Sequence, residues 1–123
     1  MSEVPAALSR LDEIERTSFI AHETIYELRS VLVGRHLATP MTDALLAESA
    51  RITLDEIPAI TASLRRLGTR WHEQRVLAPE TADETAADLD RELARIQSSV
   101  QGWLDRQAAI GAELRAALPP RGR

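Results

Sequence analysis

The feature that most constrains this chain is a rhythm. From Ala82 to Ala117, apolar or small residues recur at alternating steps of four and three: Ala82, Ala86, Leu89, Leu93, Ile96, Val100, Trp103, then Gln107, Ile110, Leu114 and Ala117. A seven-residue repeat held this long buries one strip along one face of a long helix, and no strand can use it. Pro119-Pro120 ends the pattern.

The same rhythm occurs twice more. Near Pro5, which suits the first turn of a helix because its missing N–H would be unpaired there, a first helix is predicted to begin. Its seam reads Leu11, Ile14, Ser18, Ala21, Ile25, Leu28 and Leu32, and Gly34 fits a left-handed C-terminal cap. A middle helix opens at Thr39-Pro40 as N-cap and proline, and runs through Met41, Leu45, Leu46, Ala50 and Ile52. There the pattern stumbles. Thr53 and Glu56 have capping-box spacing, Ile52 and Ile57 could staple around them, and Pro58 removes an interior hydrogen bond. A break is predicted, after which Ile57, Ile60, Leu64, Leu67 and Trp71 resume the seam before Pro79.

Short connections force successive helices antiparallel. The fold class is therefore all-α: an elongated antiparallel three-helix bundle, its middle helix broken near Thr53–Pro58, so that four helical segments can be counted. One domain spans 1–123, with 1–4 and 119–123 expected to fray. Helical rise places Trp71 level with Ala86 and Ala87, and Trp103 level with Asp55 and Ser18, so large rings meet small residues. Arg66, Arg70 and Arg75 come alongside Asp83, Glu84, Asp88 and Glu92. The plan is similar to that of spectrin-like repeats, a likeness of fold that carries no function.

Composition closes several doors. There are no cysteines, hence no disulfide, Cys-based zinc site or thiol nucleophile. Lys is absent and Arg replaces it, a usage that a GC-rich bacterial genome produces. The net charge of −4 suggests neither nucleic acid nor an anionic membrane as partner. Arg65, Arg66, Arg70 and the Arg121/Arg123 tail are offset by neighbouring acids, with few aromatics to stack on bases. No apolar run approaches the roughly 18 residues of a membrane span, and Met1–Arg10 lacks a signal-peptide layout. A cytoplasmic location is expected.

Catalytic and metal patterns fare poorly. His22-Glu23 and His72-Glu73 invite a metal, but bundle di-metal sites use Glu-x-x-His, and no Glu here has a His three residues on. Tyr26 and Val76 stand where a His-Glu-x-x-His motif needs its second His. These residues are read as flank residues that pair with Arg. Gly34, Gly68 and Gly102 are too scattered to cradle a phosphate, and Asp12-Glu13 and Asp55-Glu56 read as solvent-facing or capping. No enzyme, cofactor or metal is expected.

One departure from pattern stands out. Phe19, Tyr26 and Val33, which include the only Phe and the only Tyr, are spaced by sevens one position past the first seam, about 100° further round the helix. Ile20 lies beside them in sequence, and Met41, Leu45 and Ile52 form a second stripe. An ordered apolar stripe points to an interface. The expected function is a non-enzymatic helical interaction or self-assembly module, a homo-oligomer or a subunit of a larger complex. Two alternatives are a small-ligand pocket at the Pro58 break near Trp103 and Gln107, and an exported helical protein of the WXG100 type. The Trp-x-Gly turn of the latter is missing, since His72-Glu73 follow Trp71.

Overall fold

The computed structural model describes residues 3–119. Its helices are α1 (Val4–Leu8), α2 (Leu11–Gly34), α3 (Pro40–Arg51), α4 (Ile57–Leu77) and α5 (Ala82–Ala116), with a π-helical turn at Ile52–Glu56 and a 3₁₀ turn at Pro79–Thr81. No strand occurs among the described residues. The all-α antiparallel bundle is the architecture observed, with α2 and α5 as its long rods and α3 to α4 as the bent middle one.

The predicted seams are where the core lies. Leu11, Ser18, Ile25 and Leu32 are buried on α2, as are Leu89, Leu93, Val100, Gln107, Ile110 and Leu114 on α5. Two apolar clusters result. One joins Val4, Ala7 and Leu11 to Leu64, Leu67, Leu89 and Leu93. The other joins Ile25, Leu32, Leu45, Ile52 and Ile57 to Ile110 and Leu114.

Between these clusters lies a polar layer. Ser18 Oγ donates to Gln107 Oε1 at 2.7 Å, and Gln107 Nε2 donates to Thr53 Oγ1 at 2.9 Å. Gln107 Oε1 can only accept, so the Ser18 proton is committed to it. Thr53 therefore closes the ring by donating back to Ser18, 2.8 Å from its Oγ and 3.2 Å from its carbonyl. Ser49 Oγ, 3.3 Å from Gln107 Nε2, extends the layer to His22 Nδ1 at 2.9 Å. Ser18, Ser49 and Gln107 are all buried, so they tie three helices together where water cannot compete.

The structure corrects five expectations. The first helix is two helices, because the chain tightens at Ser9–Arg10, with Arg10 N–H bonded to Ala7 O and Ser9 Oγ to Ala6 O. This sends Leu8 into a notch at Gly68, where any Cβ would lie 2.6 Å from Leu8 Cδ1. Val4 does not fray; it is sealed in the core, and Glu3 N–H bonds Asp90. Met1, Ser2 and 120–123, also expected to fray, lie outside the described residues.

Gly34 is not the left-handed cap. His36 is, at φ 58°. Leu37 N–H reaches Leu32 O and His36 N–H reaches Val33 O, a Schellman closure centred on His36. The Thr39 cap forms as expected, in a reciprocal box with Thr42.

At Thr53 the middle helix changes pitch instead of restarting. Ile57 N–H bonds back five residues to Ile52 O, and Thr53 makes no cap because its hydroxyl is spent in the polar layer. The wider turn leaves room for the Pro58 ring against the preceding turn. Finally, α5 sits one helical turn from the expected level, since Gln107 and not Trp103 meets Ser18.

Of the expected cross-helix charge pairs, Arg70–Glu92 forms at 2.7 Å. Arg75 instead lies over the Trp71 ring at 5.1 Å, Arg66 bonds Ser63, and Asp88 pairs within its own helix with Arg91.

Replacing Gln107 with Leu keeps its bulk but removes the α5 partner of Ser18, Thr53 and Ser49, leaving only the Ser18–Thr53 and Ser49–His22 hydrogen bonds. We expect Gln107→Leu to cost about 1–3 kcal/mol in urea unfolding, and Ser18→Ala added to it to recover part of that loss. Independent, additive losses would show that the layer does not act as a unit.

Candidate functional site

The stripe on α2 is out in solvent. Phe19 is 54% exposed and Tyr26 57%, and Val33 and Ile20 are exposed as well. The reason is local. Ser18 and Ile25 take the inward positions, and each next residue along the helix turns about 100° away.

Leu45 and Ile52, expected with Met41 as a second interface stripe, are not available to a partner: they are 8% and 0% exposed, in the core. The inward face of α3 runs Thr42, Leu45, Ser49 and Ile52. Thr42 and Ser49, not Leu46 and Ala50, fill the inward positions, because their hydroxyls are satisfied inside, Thr42 in the cap and Ser49 in the polar layer.

Met41 is exposed but belongs to another side. Glu48, one heptad later on the same flank, binds Arg106 of α5, whereas Asp43 binds Arg29 of α2 at 2.8 Å. Met41 therefore opens toward α5, away from Phe19. Ile20 likewise lies about 100° round from Phe19 and about 120° from Tyr26. The face reduces to Phe19, Tyr26 and Val33.

A residue absent from the sequence reading completes it. Leu54, on the π-turn, is 69% exposed and shares with Phe19 and Pro58 an open groove of about 610 Å³. The Ser18–Thr53 hydrogen bond sets these next residues, Phe19 and Leu54, side by side. Leu54 stands about 200° round from the buried Ile52, and the apparent capping box at Thr53 concealed the π-turn that carries it.

Two ion pairs bracket the face, Arg65–Glu15 at 3.0 Å toward α4 and Arg29–Asp43 toward α3. Each contributes roughly 0.2–1 kcal/mol and fixes neighbours more than it holds the fold. Within the groove Asp12 and Arg16 add opposite charges. Two turns along, Tyr26 lies in a shallow depression with His22, Glu23 and Glu27. Neither Glu23 nor Glu27 forms an ion pair among the described residues.

A groove does open at Pro58, but Trp103 and Gln107, expected near it, do not line it. Its lining comes from α2, the π-turn and α4. Gln107 is enclosed in the polar layer, and Trp103 packs on the second apolar cluster. His22 faces Ser49 instead of an Arg, and His72 is exposed. Among the described residues no three His, Asp or Glu side chains are grouped to hold a metal, and no helix is long and apolar enough to cross a membrane. Comparison of the chain with protein-family models, curated proteins and solved structures finds no match.

On the α5 side, Arg106 clamps Glu48 with two hydrogen bonds, one of them 2.9 Å. Hydrogen bonding to Arg106 holds the Glu48 carboxyl below its ordinary value of 4.5. A lowered carboxylate stabilises the fold above its unfolded pKa, and that contribution is lost as pH falls through the folded one. We expect the unaltered chain to be more stable than Glu48→Gln above about pH 5, and their denaturation curves to converge as pH drops below 4.5. A difference that persists in strong acid would mean that packing, not the ion pair, is what Glu48 supplies.

Proposed function

We propose that this chain is a non-enzymatic helical interaction module, which docks another helix on the face made by Phe19, Tyr26, Val33 and Leu54. The observation that carries this reading is the exposure of its only Phe and only Tyr, 54% and 57%, on a helix whose core seam is already filled. Nothing in the folding of the chain requires large rings there, since the inward positions of α2 are held by Leu11, Ser18, Ile25 and Leu32.

Aromatic side chains give a partner large contact area with few rotors to freeze, and a helix laid in a groove meets anchors one heptad apart. Phe19 and Tyr26 have that spacing, about 10 Å by helical rise. The occupant is a helix from a second copy or from another polypeptide. The module needs no cofactor, and a cytoplasmic setting is part of the proposal.

The test is Phe19→Asp with Tyr26→Asp. Because both side chains are exposed, far-ultraviolet helicity should hold and unfolding stability should move by no more than about 0.5 kcal/mol each. Association, read as mass by light scattering and as a partner retained from the native host, should weaken at least about tenfold, or 1.4 kcal/mol. A monomer that retains nothing, or a complex that the double variant leaves intact, contradicts the reading.

A further inference from the structure

The docking face is electrically lopsided, and that asymmetry says what kind of helix belongs on it. At its Phe19 end the charges cancel: Glu15 is bonded to Arg65, and Asp12 and Arg16 stand as one acid and one base in the same groove. At its Tyr26 end they do not. Glu23 and Glu27, three residues before and one residue after Tyr26, are both exposed and share its depression. Arg29, the nearest arginine along α2, is committed to Asp43. His22 is turned to Ser49.

We propose that the occupant is a cationic amphipathic helix of another polypeptide, seated with apolar side chains against Phe19, Leu54 and Pro58 and with Arg or Lys over Tyr26, Glu23 and Glu27. The inference rests on the docking reading above and names the partner's chemistry. A guanidinium or ammonium group at that end meets two carboxylates and the face of an aromatic ring, each attractive to a cation. A second copy is the poorer occupant. It would bring the same Glu23 and Glu27, and another net charge of −4, to a surface that already carries excess acid.

The occupant's layout follows from the spacing. Apolar side chains should recur at three-four steps on one face, and the basic residues should lie one to two turns from the anchor that enters the groove. Contact pairs of this kind weaken as salt is added, because the charges lie at the rim of the interface.

The experiment titrates the full chain into a dye-labelled amphipathic peptide of about 18 residues, with leucine at three-four steps and arginine along both edges. A counterpart carries glutamate for arginine, and binding is read by fluorescence anisotropy at low and physiological salt. The arginine peptide should bind at least about tenfold more tightly than the glutamate one. Glu23→Gln with Glu27→Gln should weaken it roughly three- to tenfold and flatten its salt dependence, while Phe19→Asp should abolish binding.

Equal affinity for the two peptides, no binding of either, or arginine-peptide binding that survives Phe19→Asp overturns the inference. If neither peptide binds but the unaltered chain is a dimer that Phe19→Asp disperses, the docking reading stands and the cationic partner falls. If the chain is monomeric, retains no partner and binds neither peptide, both fall.

Discussion

The arrangement of this bundle depends on the closed ring of hydrogen bonds among Ser18, Thr53 and Gln107. Aliphatic layers can slide past one another by a turn at modest cost, since one Leu replaces another in much the same environment. Buried hydroxyl and amide groups cannot. A slip of α5 by one turn would leave the buried Gln107 amide without its partners and take the α5 hydrogen bonds from Ser18, Thr53 and Ser49, about 1–3 kcal/mol for each buried group left unpaired. The layer thus selects one register from several that the seven-residue repeat permits, as single polar positions do in coiled coils.

Rotational phase follows from register. With Ser18 turned inward, Phe19 has to face out, and with Thr53 drawn in toward Gln107, Leu54 has to face out beside it. The π-turn is the local adjustment that makes both possible. It carries Thr53 into the layer while keeping Ile52 and Ile57, on its two sides, in the core. The exposed apolar face and the buried polar layer are therefore two sides of one geometric choice. A core without the layer would have no comparable reason to hold aromatic rings in water.

The rods and their seams were legible in the sequence because the three-four rhythm of Leu, Ile and Val reports directly on what each helix buries. The exposed Phe19–Tyr26–Val33 line was legible for the same reason, as a residue of the pattern. What escaped depends on groups far apart in sequence. The tightening at Ser9–Arg10 has no proline or glycine to announce it, and its result is the fit of Leu8 into Gly68 on α4. The apolar pattern passes over Thr42 and Ser49, because nothing local shows that a cap and Gln107 satisfy their hydroxyls inside. Leu45 and Ile52 were misplaced as a direct consequence. The capping-box spacing at Thr53 was a true local signal that a long-range hydrogen bond outcompeted, and Gly34 is not the cap because it is still the last helical residue, the chain turning left-handed two residues later at His36.

A fixed polar register holds Phe19 and Tyr26 outside a core that closes without them. Hydroxyl-radical footprinting of the full chain, at a concentration where light scattering shows a monomer, reads this residue by residue. Rapid oxidation of Phe19, Tyr26 and Leu54, with Ile25, Leu32 and Ile52 shielded, is the pattern this structure requires. Protection of Phe19 and Tyr26 as strong as that of Ile25 in the monomer would contradict it.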